Sequence, residues 1–302
     1  MIAATATRYI RGQWDLFGNW RRGVRSIARD DWATLSQRLR AIQAIRPLAG
    51  LRMLDIGCGQ RCKSILVYRA FGAQPTGIDL EPGRPDLPLL SYVAWSARHL
   101  GAERALKTLV RRGFFERAYF QELERCAGRK LLGGALDVRR MDAQKLDFPN
   151  ATFDAVTSDQ VWEHVADVER ATSEIGRVLK PGGLVSMTVA LFPSLPGGHH
   201  YSWLEPDERP SSYVEPWDHL RSRKHPAFTY LNEYRQADFR SVFDRHFDIL
   251  DWDASRQVGR KQLTPGIRAE LADFTEEDLL TPQLVLLARK PRASVTVKPI
   301  HK

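Results

Sequence analysis

Leu51-Arg52-Met53-Leu54-Asp55-Ile56-Gly57-Cys58-Gly59 is a short apolar run that breaks off into two glycines. The run reads as a buried strand. The glycines read as a tight turn at its carboxyl end, where a backbone without Cβ atoms can approach a ligand. Residues 63–71 follow with helical spacing, and Thr76-Gly-Ile-Asp-Leu80 is a second strand end. The alternation returns beyond residue 134: residues 135–138, 153–158 and 184–190 read as strands three to five. A helix spans 167–179, and Lys180-Pro-Gly-Gly183 is a turn. A helix over 232–245, a strand over 247–252, a helix end at 276–280 and a last strand at 284–288 complete the series. Strands alternating with helices predict an α/β fold, Rossmann-like, with a doubly wound and mostly parallel sheet over 51–83 and 135–290.

Two segments stand outside that alternation. Residues 1–50 predict a helical cap: one helix over 8–28 with Ile10, Trp14, Phe17, Val24 and Ile27 on a face, broken or kinked at Gly18-Asn19. A second helix is capped by Asp30 or Asp31 and carries Trp32, Leu35, Leu39, Ile42 and Ile45. Residues 84–134 predict a helical insertion after strand two, with Leu106, Leu109, Val110, Gly113 and Phe114 on one face. Residues 191–231 are rich in Pro, His and aromatic residues with little periodicity. A long irregular segment in a compact chain is usually functional, so it is the expected acceptor-site loop. The tail over 291–302 is expected to fray.

Composition places the chain among ordinary globular proteins, with 43% hydrophobic and 27% charged residues in 302. No run of eighteen apolar residues is present, and the N-terminal MIAATATRYIRGQW has no apolar signal core and reads as mature protein. Cys58, Cys62 and Cys126 are odd in number and form no C-x-x-C, so neither a disulfide framework nor a zinc knuckle is indicated, and a cytoplasmic setting is expected. The net charge of +9 resides in the two additions, +6 in residues 1–50 and +5 in residues 84–134. That placement predicts helices beside the cleft mouth that draw in an anionic acceptor, with reversible contact at the inner membrane face. The competing reading is a solvated face.

In a doubly wound sheet ligands bind outside the carboxyl ends of the strands. The first strand end carries Gly57 and Gly59, but Gln60-Arg61-Cys62 replaces the third glycine of a dinucleotide fingerprint, which disfavours NAD. Asp79 ends strand two, where a carboxylate can accept from both hydroxyls of a ribose. Met141-Asp142-Ala143, followed by Leu146 and Phe148, offers an acceptor for an exocyclic adenine amine and apolar neighbours for the ring. Strand four ends in Ser158-Asp159-Gln160-Val-Trp-Glu163-His164, where a transferable group and its acceptor would meet.

The series LDIGCG, TGIDL, MDAQKLDFPNATFD, SDQVWEHV and RVLKPGGLV resembles the class I S-adenosylmethionine-dependent methyltransferases over residues 45–190. It is most similar to the small-molecule type 11 group, with its EH pair after strand four. The resemblance implies S-adenosyl-L-methionine as cofactor. The implied cofactor site is Asp55, Gly57, Cys58, Gly59, Asp79, Leu80, Asp142, Ala143, Ser158 and Asp159. Gln60-Arg61 departs from the small residue and glycine found in many members. The whole chain also resembles bacterial methyltransferases associated with cell-surface glycans, through Phe192-Pro-Ser, Gly197-Gly-His-His200, Pro216-Trp-Asp-His-Leu220 and Tyr230-Leu-Asn232 with Arg235.

The expected reaction is methyl transfer to a small-molecule or glycan hydroxyl. A hydroxyl benefits from a general base. His164 beside Glu163 is the first candidate; His199, His200 and His219 in the long loop are the second, with His200 and His219 preferred. No metal site is expected, since His200, Asp218 and His219 lack tight ligand spacing. Two other classes remain: an RNA methyltransferase, on the strength of the basic charge, and a catalytically silent cofactor-binding module.

Overall fold

The computed structural model describes residues 2–292, with side chains from Gly23 onward; the expected fraying beyond Arg292, and the stripe of Ile10, Trp14 and Phe17, lie outside what it describes. The strands are β1 (Arg52–Ile56), β2 (Gln74–Asp79), β3 (Asp137–Arg140), β4 (Phe153–Asp159), β5 (Leu179–Ala190), β6 (Asp248–Asp253) and β7 (Gln283–Arg289). They form one sheet in the order β3-β2-β1-β4-β5-β7-β6. The first five run parallel; β7 is antiparallel to both of its neighbours. The strand order reverses between β1 and β4, so a crevice opens at their carboxyl ends.

Helices cover both faces: α1 (Ile2–Gln43), α2 (Lys63–Ala70), α3 (Leu89–Leu100), α4 (Ala102–Arg111), α5 (Arg117–Ala127), α6 (Val168–Val178), α7 (Gln236–His246), α8 (Pro265–Glu270) and α9 (Glu276–Leu280). On one face Ala171 and Ile175 of α6 and Phe239 and Phe243 of α7 pack against Leu54, Val156 and Val185. On the other, Leu35, Leu39 and Ile42 of α1 and Tyr119 and Leu123 of α5 close over α2 and Met53. Residues 195–217 and 271–280 build a third, smaller cluster around Trp203 and Trp217, so the long irregular segment has a core of its own.

Three expectations are corrected. The N-terminal segment is a single helix, with no break at Gly18-Asn19 and no cap at Asp30 or Asp31. One interior glycine costs only about 1 kcal/mol, and Asp31 is held inside the helix by Lys63 and by the Tyr119 hydroxyl. In the insertion, the stripe of Leu106, Leu109 and Phe114 faces solvent, Phe114 being 76% exposed. The packing face is instead set by Ala105 and Thr108, then, across a π-turn at Arg112–Glu116, by Phe115, Tyr119, Phe120 and Leu123. Lys180-Pro-Gly-Gly183 is no separate turn but a bulge within β5, where pairing jumps from Phe153 opposite Leu179 to Ala155 opposite Leu184. Gly182 supplies the positive φ of 74° that this needs.

Candidate functional site

The glycine turn after β1 sits where the strand order reverses. Gly57 has φ +73°, and a Cβ there would lie 2.1 Å from Val161 Cγ2, so only glycine passes beneath the β4 end. The Gly59 N–H donates to Asp79 Oδ2 at 2.9 Å, and the Glu81 N–H donates to Oδ1 at 2.7 Å. Asp79 therefore stitches the glycine turn to the tip of β2 while each oxygen keeps a lone pair for a further donor. Leu80 beside it is 62% exposed, an apolar wall without a protein partner face. A cleft of about 360 Å³ opens here, with Gly57, Gly59, Arg61, Lys63, Asp159 and Gln160 in its wall.

Gln60 and Arg61, where the sequence departs from the family pattern, are taken up by the insertion. The Gln60 amide oxygen accepts from the Tyr92 hydroxyl at 3.0 Å, and its amide N–H donates to the Glu81 carbonyl. Arg61 lies over the Tyr119 ring at 4.3 Å. Gly83 makes the fold-back possible, since a Cβ there would fall 2.0 Å from the Gln60 carbonyl oxygen.

Asp159 faces the cleft between two cations. Lys63 Nζ lies 3.1 Å from one oxygen and Arg38 3.6 Å from the other. Burial alone would raise its carboxyl; the charges of Lys63 and Arg38 outweigh that and hold it below the usual range. Two of the expected cofactor residues have buried side chains. The Ser158 hydroxyl donates to the Ile56 carbonyl at 3.0 Å and is sealed in the sheet. Asp55 is likewise buried and accepts from the Thr157 hydroxyl at 2.6 Å. Both shape the strand tips that carry the cleft.

Burial pushes the Asp55 carboxyl up to about 6, with the Thr157 bond and the Arg38 charge offsetting only part of it. The folded state then holds a proton that the unfolded chain has released, so stability falls as pH rises from about 4 through 6. Asp55→Asn should remove that slope. The ligand-free variant should gain on the order of 2 kcal/mol over the parent at neutral pH and nothing near pH 4. Urea unfolding at the two pH values reads the difference.

On the other side, Asp142 is exposed at the end of β3 and its carboxylate caps its own turn through the Gln144 N–H at 2.8 Å. Ala143, Leu146 and Phe148 are buried in the main core. Met141 is tied to β2 by its N–H on the Asp79 carbonyl.

Beyond β4, Glu163 and His164 lie in a single 3-10 turn, Trp162–His164. Glu163 is 2% exposed and neither carboxyl oxygen makes a hydrogen bond. Burial pushes its carboxyl up to about 8. His164 Nε2 and His199 Nε2 each stand 4.0 Å from Glu163 Oε1, and the two rings meet edge to face at 5.0 Å. His164 Nδ1 lies 2.9 Å from the Tyr230 carbonyl, which can only accept; Nδ1 therefore carries the proton and Nε2 the lone pair. Asn232 fastens this arrangement, donating from its amide to the carbonyls of Trp162 and Val165 and from its N–H to that of Glu163.

Of the three loop histidines, His199 stands beside Glu163, rather than His200 or His219 preferred from the sequence. Gly197 and Gly198 pass so close to the Phe192 carbonyl and the His219 ring that a Cβ would lie 2.3 and 2.5 Å away. This tight passage, ending in φ +53° at His199, aims the imidazole at Glu163. Burial, then the neighbouring His164, lowers its pKa to about 4. His200 instead accepts from the Ser202 N–H, capping a turn, and His219 is bonded to the Phe192 carbonyl at 2.9 Å. The adjacent Gly-Gly pair was the available signal for His199. The cleft beside it, about 320 Å³, shares Gln160 with the glycine-turn cleft and is rimmed by Glu205, Asp207 and Glu208 against a lone Arg256.

Three arginines of the insertion are engaged within the protein. Arg104 pairs with Glu81; Arg111 binds Glu116 at 2.6 Å and the Tyr92 hydroxyl; Arg112 donates to the Pro85 carbonyl at 3.1 Å. Among the described residues no helix is long and apolar enough to cross a membrane, and Cys58, Cys62 and Cys126 are free thiols.

Residues 116–187 match the family model described as Methyltransf_11, a methyltransferase domain. A ubiquinone biosynthesis O-methyltransferase of Rhizobium leguminosarum bv. trifolii is 32% identical over 143 residues, 47% of this chain and 42% of that protein. A demethylmenaquinone methyltransferase of Thermus thermophilus is 35% identical over 151 residues, 49% of this chain and 61% of that protein. The chain thus spans about half the length of the curated relatives it matches. Among solved structures, an S-adenosylmethionine dependent methyltransferase from Mesorhizobium loti is 17% identical with a TM-score of 0.44, covering 84% of this chain and 96% of that one. A putative one from Listeria monocytogenes is 15% identical with a TM-score of 0.47, covering 86% and 98%. The family match falls on β3, β4 and most of β5, with the glycine turn and Asp79 N-terminal to it: over residues 116–187 the chain is similar to a methyltransferase domain of the type 11 group.

Proposed function

We propose that the protein transfers the methyl group of S-adenosylmethionine to a hydroxyl of a small, uncharged acceptor. The observation that carries the cofactor part is the Asp79 carboxylate, bonded to the glycine turn and still able to accept from a ribose beside the exposed Leu80. Gly57, Gly59 and Asp79 would hold the cofactor, which supplies a methyl carbon already activated on a sulfonium. The oxygen–carbon bond forms as the carbon–sulfur bond breaks, and the hydroxyl proton must leave.

The protein's share is placement and proton handling. Gln160 lines both clefts, so an acceptor in the second would meet a cofactor in the first across it. Orientation of this kind can supply about 7–11 kcal/mol of the barrier. The Glu163–His164–His199 cluster reaches the acceptor cleft through His199, which lies in its wall. Three carboxylates on the rim disfavour the anionic acceptor expected from net charge. They disfavour the RNA reading too, since a phosphate backbone needs cations. The Rhizobium relative is named as an O-methyltransferase of ubiquinone biosynthesis, which supports a ring hydroxyl over a sugar hydroxyl.

Calorimetry should show binding of S-adenosylmethionine and its demethylated product and none of NAD. Labelled methyl transfer to catechol-type rings and to saccharides then separates the two acceptor classes. His164→Ala should keep cofactor affinity within about twofold and lower turnover by roughly a hundred- to ten-thousand-fold. Parental turnover in that variant would remove the cluster from the reaction.

A further inference from the structure

We infer that Glu163, His164 and His199 form a binding site for one divalent transition-metal ion of the zinc type. Two imidazole nitrogens and one carboxylate are the donor set of zinc sites that keep an open coordination position. Among the described residues these three make the one group of His, Cys, Asp and Glu whose ligand atoms lie within 4.8 Å of one another. Glu163 Oε1 stands 4.0 Å from each imidazole Nε2. Tetrahedral metal–ligand bonds of about 2.0–2.2 Å would draw each Glu163–imidazole pair together by about 0.6 Å.

Three independent features favour an ion over a bare cluster. Both Glu163 oxygens are buried without a hydrogen bond, and an unsatisfied buried carboxyl is costly unless something binds it. His164 gives its other nitrogen to the Tyr230 carbonyl, the second contact that fixes the tautomer and aim of metal-bound histidines. Asn232 clamps the turn that carries both Glu163 and His164. His199 comes from a different part of the chain, held by the Gly197-Gly198 passage at positive φ. Both histidine side chains are partly exposed, His199 on the cleft, so an ion can enter and a fourth ligand can reach it.

The fourth ligand would be water or an acceptor hydroxyl. Bound to the ion, a hydroxyl becomes more acidic and releases its proton to solvent, and His164 then serves as a ligand rather than as the proton's destination. The site itself does not depend on methyl transfer. A chain that failed to bind S-adenosylmethionine would leave it standing, and a chain that failed to bind metal would leave the cofactor reading standing.

The test uses the full chain, stripped with a chelator and titrated with Zn²⁺ and with Co²⁺. One equivalent of Zn²⁺ should bind, and Co²⁺ should develop visible ligand-field bands that Zn²⁺ displaces. His164→Ala and His199→Ala should each weaken binding by at least about a hundredfold, and Glu163→Gln by at least about tenfold, while His200→Ala leaves it unchanged. Circular dichroism checks that each variant is folded. X-ray absorption on the Zn²⁺-loaded parent protein needs no variant and should show nitrogen and oxygen neighbours near 2.0 Å. Absence of stoichiometric binding, a sulfur shell from the cysteines, or undiminished affinity in the two folded histidine variants would overturn the assignment.

Discussion

Arg38→Met should lower the unfolding free energy by about 3 kcal/mol, the low end of what breaking a buried ion pair costs. Arg38 reaches from α1 across the sheet to the tips of β4 and β5. It donates to the Ser158 carbonyl and to the Thr188 hydroxyl, both at 3.0 Å, and faces Asp159 at 3.6 Å. It is 5% exposed, so methionine can fill its volume but not its charge. Two features keep the loss small. Lys63 still neutralises Asp159 at 3.1 Å, and one guanidinium nitrogen of Arg38 is buried without a bond, so the parent interaction is itself incomplete. Pairing Arg38→Met with Asp159→Asn should recover part of the loss, because a buried carboxylate left with Lys63 as its one cation disappears. Urea unfolding of the two single variants and the double variant measures the coupling. Strictly additive losses would mean that Arg38 acts through its two neutral acceptors alone.

That arginine also marks where sequence reading stopped. The strands β1, β2 and β4 and the cleft they open were legible because their signals are local: an apolar run, then glycine or aspartate at its end. Arg38 was one of nine basic residues in the first fifty, and nothing local separates a buried arginine from a solvated one. Its role depends on α1 lying across strands more than a hundred residues away. The same reason explains the insertion. The spacing of Leu106, Leu109 and Phe114 fits a helical face, but α4 meets the protein through the smaller Ala105 and Thr108, so apolar size misnamed the buried side. His199 was one of three histidines in an irregular segment. Choosing it over His200 and His219 required the backbone path through Gly197 and Gly198, which periodicity does not carry. Glu163 and His164 were readable as a pair; that the pair closes on a third ligand was not.

Asp79→Ala should weaken S-adenosylmethionine binding at least about a hundredfold. Under the proposed function its carboxylate accepts from two ribose hydroxyls, and two charge-assisted bonds at about 1.5 kcal/mol each already amount to that factor. The ligand-free geometry adds a second loss. The same oxygens hold the Gly59 and Glu81 N–H groups at 2.9 and 2.7 Å, so alanine frees the glycine turn as well as removing the acceptor. Asp79→Asn separates the two contributions. Its single amide oxygen can keep one of the two backbone bonds, but the NH₂ group then faces the other N–H, donor against donor. Asparagine should therefore fall between the parent and alanine in thermal stability, while its cofactor affinity drops nearly as far as alanine's, because the charge is gone from both. Calorimetric titration with S-adenosylmethionine, beside melting curves without it, reads both quantities. Lowered melting with an unchanged dissociation constant would confine Asp79 to the turn and send the search for the ribose acceptor to the neighbouring tip of β3, where the Asp142 carboxylate stands exposed and bonded only to its neighbour Gln144.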